Sequence, residues 1–213
     1  MLMNEAQVTN SLSKLGFSQE CIAEIILVTR NQDGSFNAAP MGVTRKGATL
    51  SVQPFKTSQT YENLMRGEPV SINISNDPLL FLATAFKDEI DDQPTIDEMG
   101  LRDADAIIYS ETGGMQNESE LRATFSLSPK DVVIISPYPT VFRRGRSEAI
   151  EAIIHATRIQ VFHNQSQDTK VLKLKEKVRD NLNVITKVSS EGSPEAITAK
   201  KLLFLMEKWD VAI

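Results

Sequence analysis

The sequence predicts a mainly β protein with α-helices: an antiparallel β-rich body over residues 1–142, followed by a helical carboxy-terminal part over residues 143–213. Three observations predict this. Short β-branched apolar runs are joined by tight turn signals, Asp33-Gly34 and Lys46-Gly47, so consecutive strands form a meander. Three consecutive strands joined by tight turns make an antiparallel meander, not βαβ units, which separates the chain from Rossmann-like folds. After Pro137-Tyr138-Pro139 the apolar spacing changes to a helical period.

The elements follow in order. Residues 4–15 read as a helix with Ala6, Leu12 and Leu15 as contacts and Gly16 as its stop. Ile22 to Thr29 is almost continuously apolar and suits a strand buried on both faces. The Asn31–Gly34 turn leads into a strand from Asn37 to Arg45, and another runs from Ala48 to Gln53. Thr60 to Arg66 reads as a short helix closed by Gly67, and Pro69 to Ser75 alternates as a strand. Asp77-Pro78 supplies a cap and a first-turn proline for a buried helix reaching Phe86. The acidic stretch from Lys87 to Asp105 lacks calcium-loop spacing and reads as a solvated loop. Ala106–Tyr109, Leu121–Leu127 and Asp131–Ser136 complete the strands. Ser147 then caps a helix whose Ile150, Ile153, Ile154, Thr157 and Val161 share one face. A second helix spans Lys170 to Leu182 on a stripe of Val171, Leu174, Val178 and Leu182, and a third runs from Ser193-Pro194-Glu195 to Trp209.

Composition narrows the function. With 213 residues, 41% of them hydrophobic, the chain buries a core without disulfides or metals. No apolar run approaches the roughly 18 residues of a membrane span. Met1-Leu2-Met3-Asn4-Glu5 lacks the regions of a signal peptide, so a soluble, cytoplasmic protein is expected. A net charge of −5 argues against nucleic-acid and anionic-membrane partners, while leaving room for a local basic site for one small anion. The lone Cys21 reads as a small buried side chain, and one cysteine with two histidines makes no zinc constellation.

Two stretches carry chemistry. Phe55-Lys56-Thr57-Ser58-Gln59-Thr60 leaves a strand and enters a helix, where unpaired N–H groups and the helix dipole favour a phosphate. Three hydroxyls and a lysine exceed what capping needs, although capping alone is the competing reading. Asn37-Ala38-Ala39-Pro40-Met41-Gly42 is rich in small residues that let a planar ligand reach the backbone. Pro40 cannot donate to a central ladder, so the strand carries an edge or a bulge there.

The order of these motifs resembles the FMN-binding split-barrel superfamily, which includes the flavin reductases: an apolar strand, Asn-Ala-Ala-Pro-Met-Gly, a strand ending Gln-Pro-Phe, Lys-Thr-Ser-Gln-Thr-Tyr-Glu-Asn-Leu, then Pro-Val-Ser-Ile-Asn-Ile-Ser-Asn-Asp-Pro. More closely it resembles the uncharacterised archaeal-type flavoproteins known as domain of unknown function 447. The likeness covers residues 20–86 and extends into Arg143–Arg158. It implies a split β-barrel with a helical carboxy-terminal extension, FMN as cofactor, and a homodimer with the flavin near the interface. It places the isoalloxazine against Asn37, Ala38, Ala39, Pro40, Met41, Gly42, Pro54 and Phe55, and the phosphate at Lys56, Thr57, Ser58 and Thr60. Asn73 faces the same cavity or turns its amide to a β-turn. No catalytic residue carries over, because such proteins rely on the cofactor for chemistry.

An FMN-dependent oxidoreductase with a small-molecule redox partner, and a flavin-binding protein acting in storage, delivery or sensing, both need this cradle. Haem binding is a third reading, against which stands the lack of a barrel histidine. His155 lies with Glu151 and Arg158 on the polar face of its helix, suited to proton transfer or to a satisfied surface or interface role. His163 follows the helix end. Arg143, Arg144 and Arg146 could reach an anion or serve only as surface charges.

Overall fold

The computed structural model describes residues 3–19, 22–137 and 144–211. Cys21 and Arg143 lie outside the described residues. The chain divides into two compact units, Met1–Ser75 with Pro94–Tyr138, and Asn76–Gln93 with Pro139–Ile213.

The first unit is a closed antiparallel barrel. Its strands are β1 (Ile22–Arg30), β2 (Phe36–Lys46), β3 (Thr49–Val52), β4 (Val70–Ile74), β7 (Ala106–Glu118) and β8 (Ala123–Ile134), in the order β1-β2-β3-β8-β7-β4. Ile25, Leu27, Val43, Leu50, Val52, Ile72, Ile108, Phe125 and Leu127 form its core. The segments expected as Ala106–Tyr109, Leu121–Leu127 and Asp131–Ser136 are parts of two long strands. β7 carries bulges between Tyr109 and Ser110 and between Thr112 and Met115. These absorb Gly113-Gly114, and the first sits beside Pro129 in β8, which explains why turn-like residues misled the pattern. β4 is buried on both faces over Val70–Asn73, not alternating. Within the acidic stretch, β5 (Ile96–Asp97) and β6 (Gly100–Leu101) form a small hairpin against the barrel wall. A Cβ on Gly100 would lie 2.5 Å from Ile107 Cδ1, so any larger residue there would displace that side chain.

Helix α1 (Glu5–Lys14) starts with a capping box between Asn4 and Gln7. It buries Val8 and Leu12, while Ala6, an expected contact, is exposed. Arg45 ties it to the barrel. Although 3% exposed, its guanidinium donates to Thr9 O, Ser13 Oγ, Phe17 O and Gly47 O, so its donors are matched by acceptors.

The second unit contains α3 (Pro78–Ala85), α4 (Arg144–Asn164), α5 (Asp168–Val188) and α6 (Pro194–Lys208). Helix α3, expected within the β-rich body, thus groups with the carboxy-terminal helices. Asp77 and Ser193 cap α3 and α6 as the Asp-Pro and Ser-Pro pairs imply. Helix α4 differs from expectation: Ser147 lies inside it, and its buried face is Gly145, Ala149, Ala152, Ile153, His155, Ala156 and Ile159. Ile150, Ile154, Thr157 and Val161 are only half-buried. The seam is built of small residues that let α5 approach closely; a Cβ on Gly145 would sit 2.3 Å from Ser189 Oγ. No described helix is long and apolar enough to cross a membrane.

Candidate functional site

The two chemistry-bearing stretches lie on either side of one opening in the barrel wall. β2 pairs with β1 along Phe36–Thr44, but with β3 only along Val43–Lys46. Residues Phe36–Gly42 therefore have a neighbour on one side alone, the edge that Pro40 requires. Beyond Val52 the chain leaves β2 and follows β8: Pro54 O accepts from Ala123 N at 3.3 Å, and Phe55 bridges to Arg122. The two segments meet again where Asn37 Nδ2 donates to Thr60 Oγ1 at 3.1 Å. The opening is thus closed at one end by Val43 opposite Val52 and at the other by Asn37 and Thr60.

Alternation sets what β2 presents. Met41 packs against the barrel core, so Ala38, Pro40 and Gly42 share the outer face. Ile26, opposite Pro40, has its carbonyl reached by Asn73 of β4. Its backbone groups thus turn away from Pro40, and by the antiparallel pattern those of Ala38, Pro40 and Gly42 point to the open edge. Gly42 is also constrained by β1, since a Cβ would stand 3.2 Å from Ile22 Cγ2.

On the other side, α2 (Gln59–Met65) begins at Ser58. The Ser58 hydroxyl accepts from Tyr61 N and donates to Phe55 O at 2.7 Å, so it serves the helix. Thr57 is exposed and Lys56 half-buried, with Nζ 2.7 Å from Glu118 Oε2. Arg122 stacks its guanidinium 3.9 Å from the Phe55 ring centroid and donates to Gln53 O. Glu118 and Arg122 were not foreseen. They arrive from β7 and β8 through pairing distant in sequence, for which no local signal exists.

Thr60 is buried at 2% exposure and belongs to a polar network also unforeseen. Asn63 Nδ2 donates to Thr29 Oγ1 and Asn31 Oδ1, and Asn63 Oδ1 accepts from Gln59 and Arg66. The one available signal was that Asn63 lies three residues after Thr60, on the same helical face. Asn73 is fully buried: its amide nitrogen reaches Ser71 Oγ at 2.9 Å, and its oxygen accepts from Leu101 N at 2.8 Å. That is the hairpin-facing reading, with Asn73 holding the β5–β6 turn.

The remaining sequence candidates lie in the helical unit. His155 is buried, not on a polar face; its Nε2 lies 3.8 Å from Glu151 Oε2 and its Nδ1 has no hydrogen-bond partner among the described residues. Burial pushes its pKa below the ordinary histidine value, opposed by Glu151. His163 is exposed in the last turn of α4, and Arg144 and Arg146 occupy its first turn. A depression of about 870 Å³ along α1 is lined by Asn4, Glu5, Ala6, Thr9, Asn10 and Ser13. One helix and its cap supply all six, so no groups converge there as they do around the barrel opening.

Comparison with known proteins agrees with this picture. The family model described as "Protein of unknown function (DUF447) N-terminal domain" matches residues 23–136. The FMN-bound protein MM1853 from Methanosarcina mazei, itself assigned to DUF447, superposes with a TM-score of 0.71 at 27% identity, covering 90% of this chain and 97% of that one. The flavin reductase of styrene monooxygenase from Pseudomonas putida S12 gives 0.49 at 13% identity over 55% of this chain and 82% of its own. A flavoredoxin from Methanosarcina acetivorans gives 0.46 at 15% over 56% and 72%. The barrel is of the FMN-binding split type.

Proposed function

Because the chain belongs to the DUF447 family, we propose that it binds FMN in the barrel opening, as the M. mazei relative's description says of that protein. The observation that carries the reading is the meeting of β2 residues 38–42 and loop residues 54–60 around one opening, joined through Asn37 and Thr60. The residues fit the group. The outer face of Ala38, Pro40 and Gly42 is flat and small, and its edge offers backbone N–H and C=O groups to a heterocycle. The loop offers Lys56, the Thr57 hydroxyl and the first N–H groups of α2 to a phosphate. Ser58 is occupied as a cap, so Thr57 and Thr60 are the hydroxyls that recognise it.

Bound FMN supplies reversible acceptance of hydride or electrons, chemistry that no protein side chain offers. The protein's part is to hold the ring against β2 and fix the phosphate. We favour an oxidoreductase acting between small molecules. The storage, delivery or sensing reading has support too, since both histidines lie in the helical unit and the barrel brings none to the opening. The one-sided edge of β2 supports a homodimer, which sedimentation at micromolar protein tests.

The deciding experiment is titration of the purified protein with FMN, followed by intrinsic flavin fluorescence. Quenching at micromolar concentration, with FMN released on denaturation, is expected; unquenched flavin would remove the reading. Turnover with a nicotinamide and an electron acceptor then separates oxidoreductase from carrier.

A further inference from the structure

The buried network behind the opening has a direction. Arg66 has only donors, so the atom of Asn63 it meets at 2.9 Å is the amide oxygen. The amide nitrogen of Asn63 must then face Thr29 Oγ1 (2.9 Å) and Asn31 Oδ1 (2.8 Å). Thr29 Oγ1 also receives Asn37 Nδ2 at 3.3 Å, so both its lone pairs are taken and its proton goes to Asn37 O at 3.4 Å. The same Asn37 Nδ2 donates to Thr60 Oγ1 at 3.1 Å. Thr60 accepts there, and among the described residues its own proton has no acceptor, although the side chain is 2% exposed.

We propose that this chain, Arg66 to Asn63 to Thr29 to Asn37, makes Thr60 an obligate hydrogen-bond donor reserved for a phosphate oxygen of the flavin. Thr29 and Asn63 are then positioning residues for phosphate recognition, without touching the ligand. The proposal rests on the FMN reading and adds which atoms set the polarity of the site. A hydroxyl free to rotate would accept as readily as donate and would not discriminate for an anion. One forced to donate pairs only with an acceptor, and a buried donor left unmatched is costly.

The test measures FMN and riboflavin dissociation constants for wild type, Thr29→Val, Thr29→Ser, Thr60→Val and the Thr29→Val/Thr60→Val pair. Thr29→Val removes the relay without adding charge, and Thr29→Ser keeps it. Thr29→Val is expected to weaken FMN several-fold while leaving riboflavin nearly unchanged, and Thr29→Ser to bind as wild type. Thr60→Val is expected to weaken FMN by about tenfold, the size of one hydrogen bond to a charged group. The double variant should bind no more weakly than Thr60→Val, because the relay acts only through that hydroxyl. Should Thr29→Val not fold, as judged by circular dichroism, Asn63→Ala breaks the same chain and is expected to show the same split. Additive losses, equal losses for the two flavins, or no loss in folded variants would each overturn the relay. A wild type that binds neither flavin would instead overturn the FMN reading itself.

Discussion

The barrel and the helical unit treat buried polar groups in opposite ways. Behind the barrel opening, Thr29, Asn31, Asn37 and Asn63 satisfy one another across β1, β2 and α2, and Asn37 also donates to Thr60, whose own proton is left for a ligand. In the helical unit, Arg146 Nε, His155 Nδ1, Asn181 Oδ1 and Thr198 Oγ1 are buried without a hydrogen-bond partner among the described residues, as Ser110 Oγ is in the barrel. A matched network holds side chains in one geometry, which a ligand site needs. Unmatched groups weaken a unit without positioning anything. Substitutions in the two units should behave accordingly.

The largest effect belongs to the opening. On the proposed FMN reading, replacing Thr57 and Thr60 together by alanine removes two hydrogen bonds to a charged group, each worth about 1.5–3 kcal/mol. FMN affinity should fall by about a hundredfold or more, with riboflavin almost indifferent. Lys56→Ala should act in the same direction and more so at low salt, because its contribution is a screened point charge now shared with Glu118. Equal losses for both flavins in folded variants would move the phosphate elsewhere.

Next comes the α4 seam. Ala152 is fully buried, and enlarging it to leucine should destabilise the protein by about 1–3 kcal/mol in urea unfolding. Ile150→Ala, at a half-buried position, should cost less. The reverse ranking would restore the isoleucine stripe as the packing face.

That seam shows where sequence reading stops. Turn and cap signals are local: Asp33-Gly34, Gly67, Asp77-Pro78 and Ser193-Pro194 mark real boundaries because one or two residues decide the backbone there. The Lys56–Thr60 stretch was legible for the same reason. Packing faces are not local. On α4 the isoleucines look like the buried stripe, yet close approach of α5 selects alanine and glycine, and no residue within α4 records the distance to its neighbour. Likewise Glu118 and Arg122 join the site only through strand pairing, and the merging of three expected strands into β7 and β8 depends on bulges spaced along their pairing.

A third, smaller effect is pH-dependent. Burial lowers the His155 pKa in the folded state below its unfolded value near 6.5. Between those values the unfolded chain binds more protons, so stability rises with pH there. The contribution is complete above about pH 6.5 and is lost as pH falls through the folded value. Glu151 and Arg158 from α4 and Lys177 from α5 set where that lies. Urea midpoints from pH 5 to 7.5 should slope more steeply for wild type than for His155→Leu; identical slopes would mean that folding leaves the His155 pKa unchanged.

The smallest effect is the sharpest comparison, because one chemical change is made in both units. Thr198 on α6 is fully buried, and its hydroxyl has no partner among the described residues. Folding strips that hydroxyl of water and returns nothing, whereas Thr29, equally buried, exchanges water for three protein hydrogen bonds. Threonine and valine are nearly the same size and have similar helix propensity, so Thr→Val isolates the hydroxyl. Thr29→Val leaves two amide donors short of an acceptor and should cost about 1–3 kcal/mol. Thr198→Val removes an uncompensated group and should leave stability unchanged or raise it by up to about 1 kcal/mol. Thermal or urea unfolding of the two single variants reads the difference directly. If Thr198→Val proves as damaging as Thr29→Val, the helical unit satisfies its buried hydroxyl after all, and the contrast between the two units fails at that position.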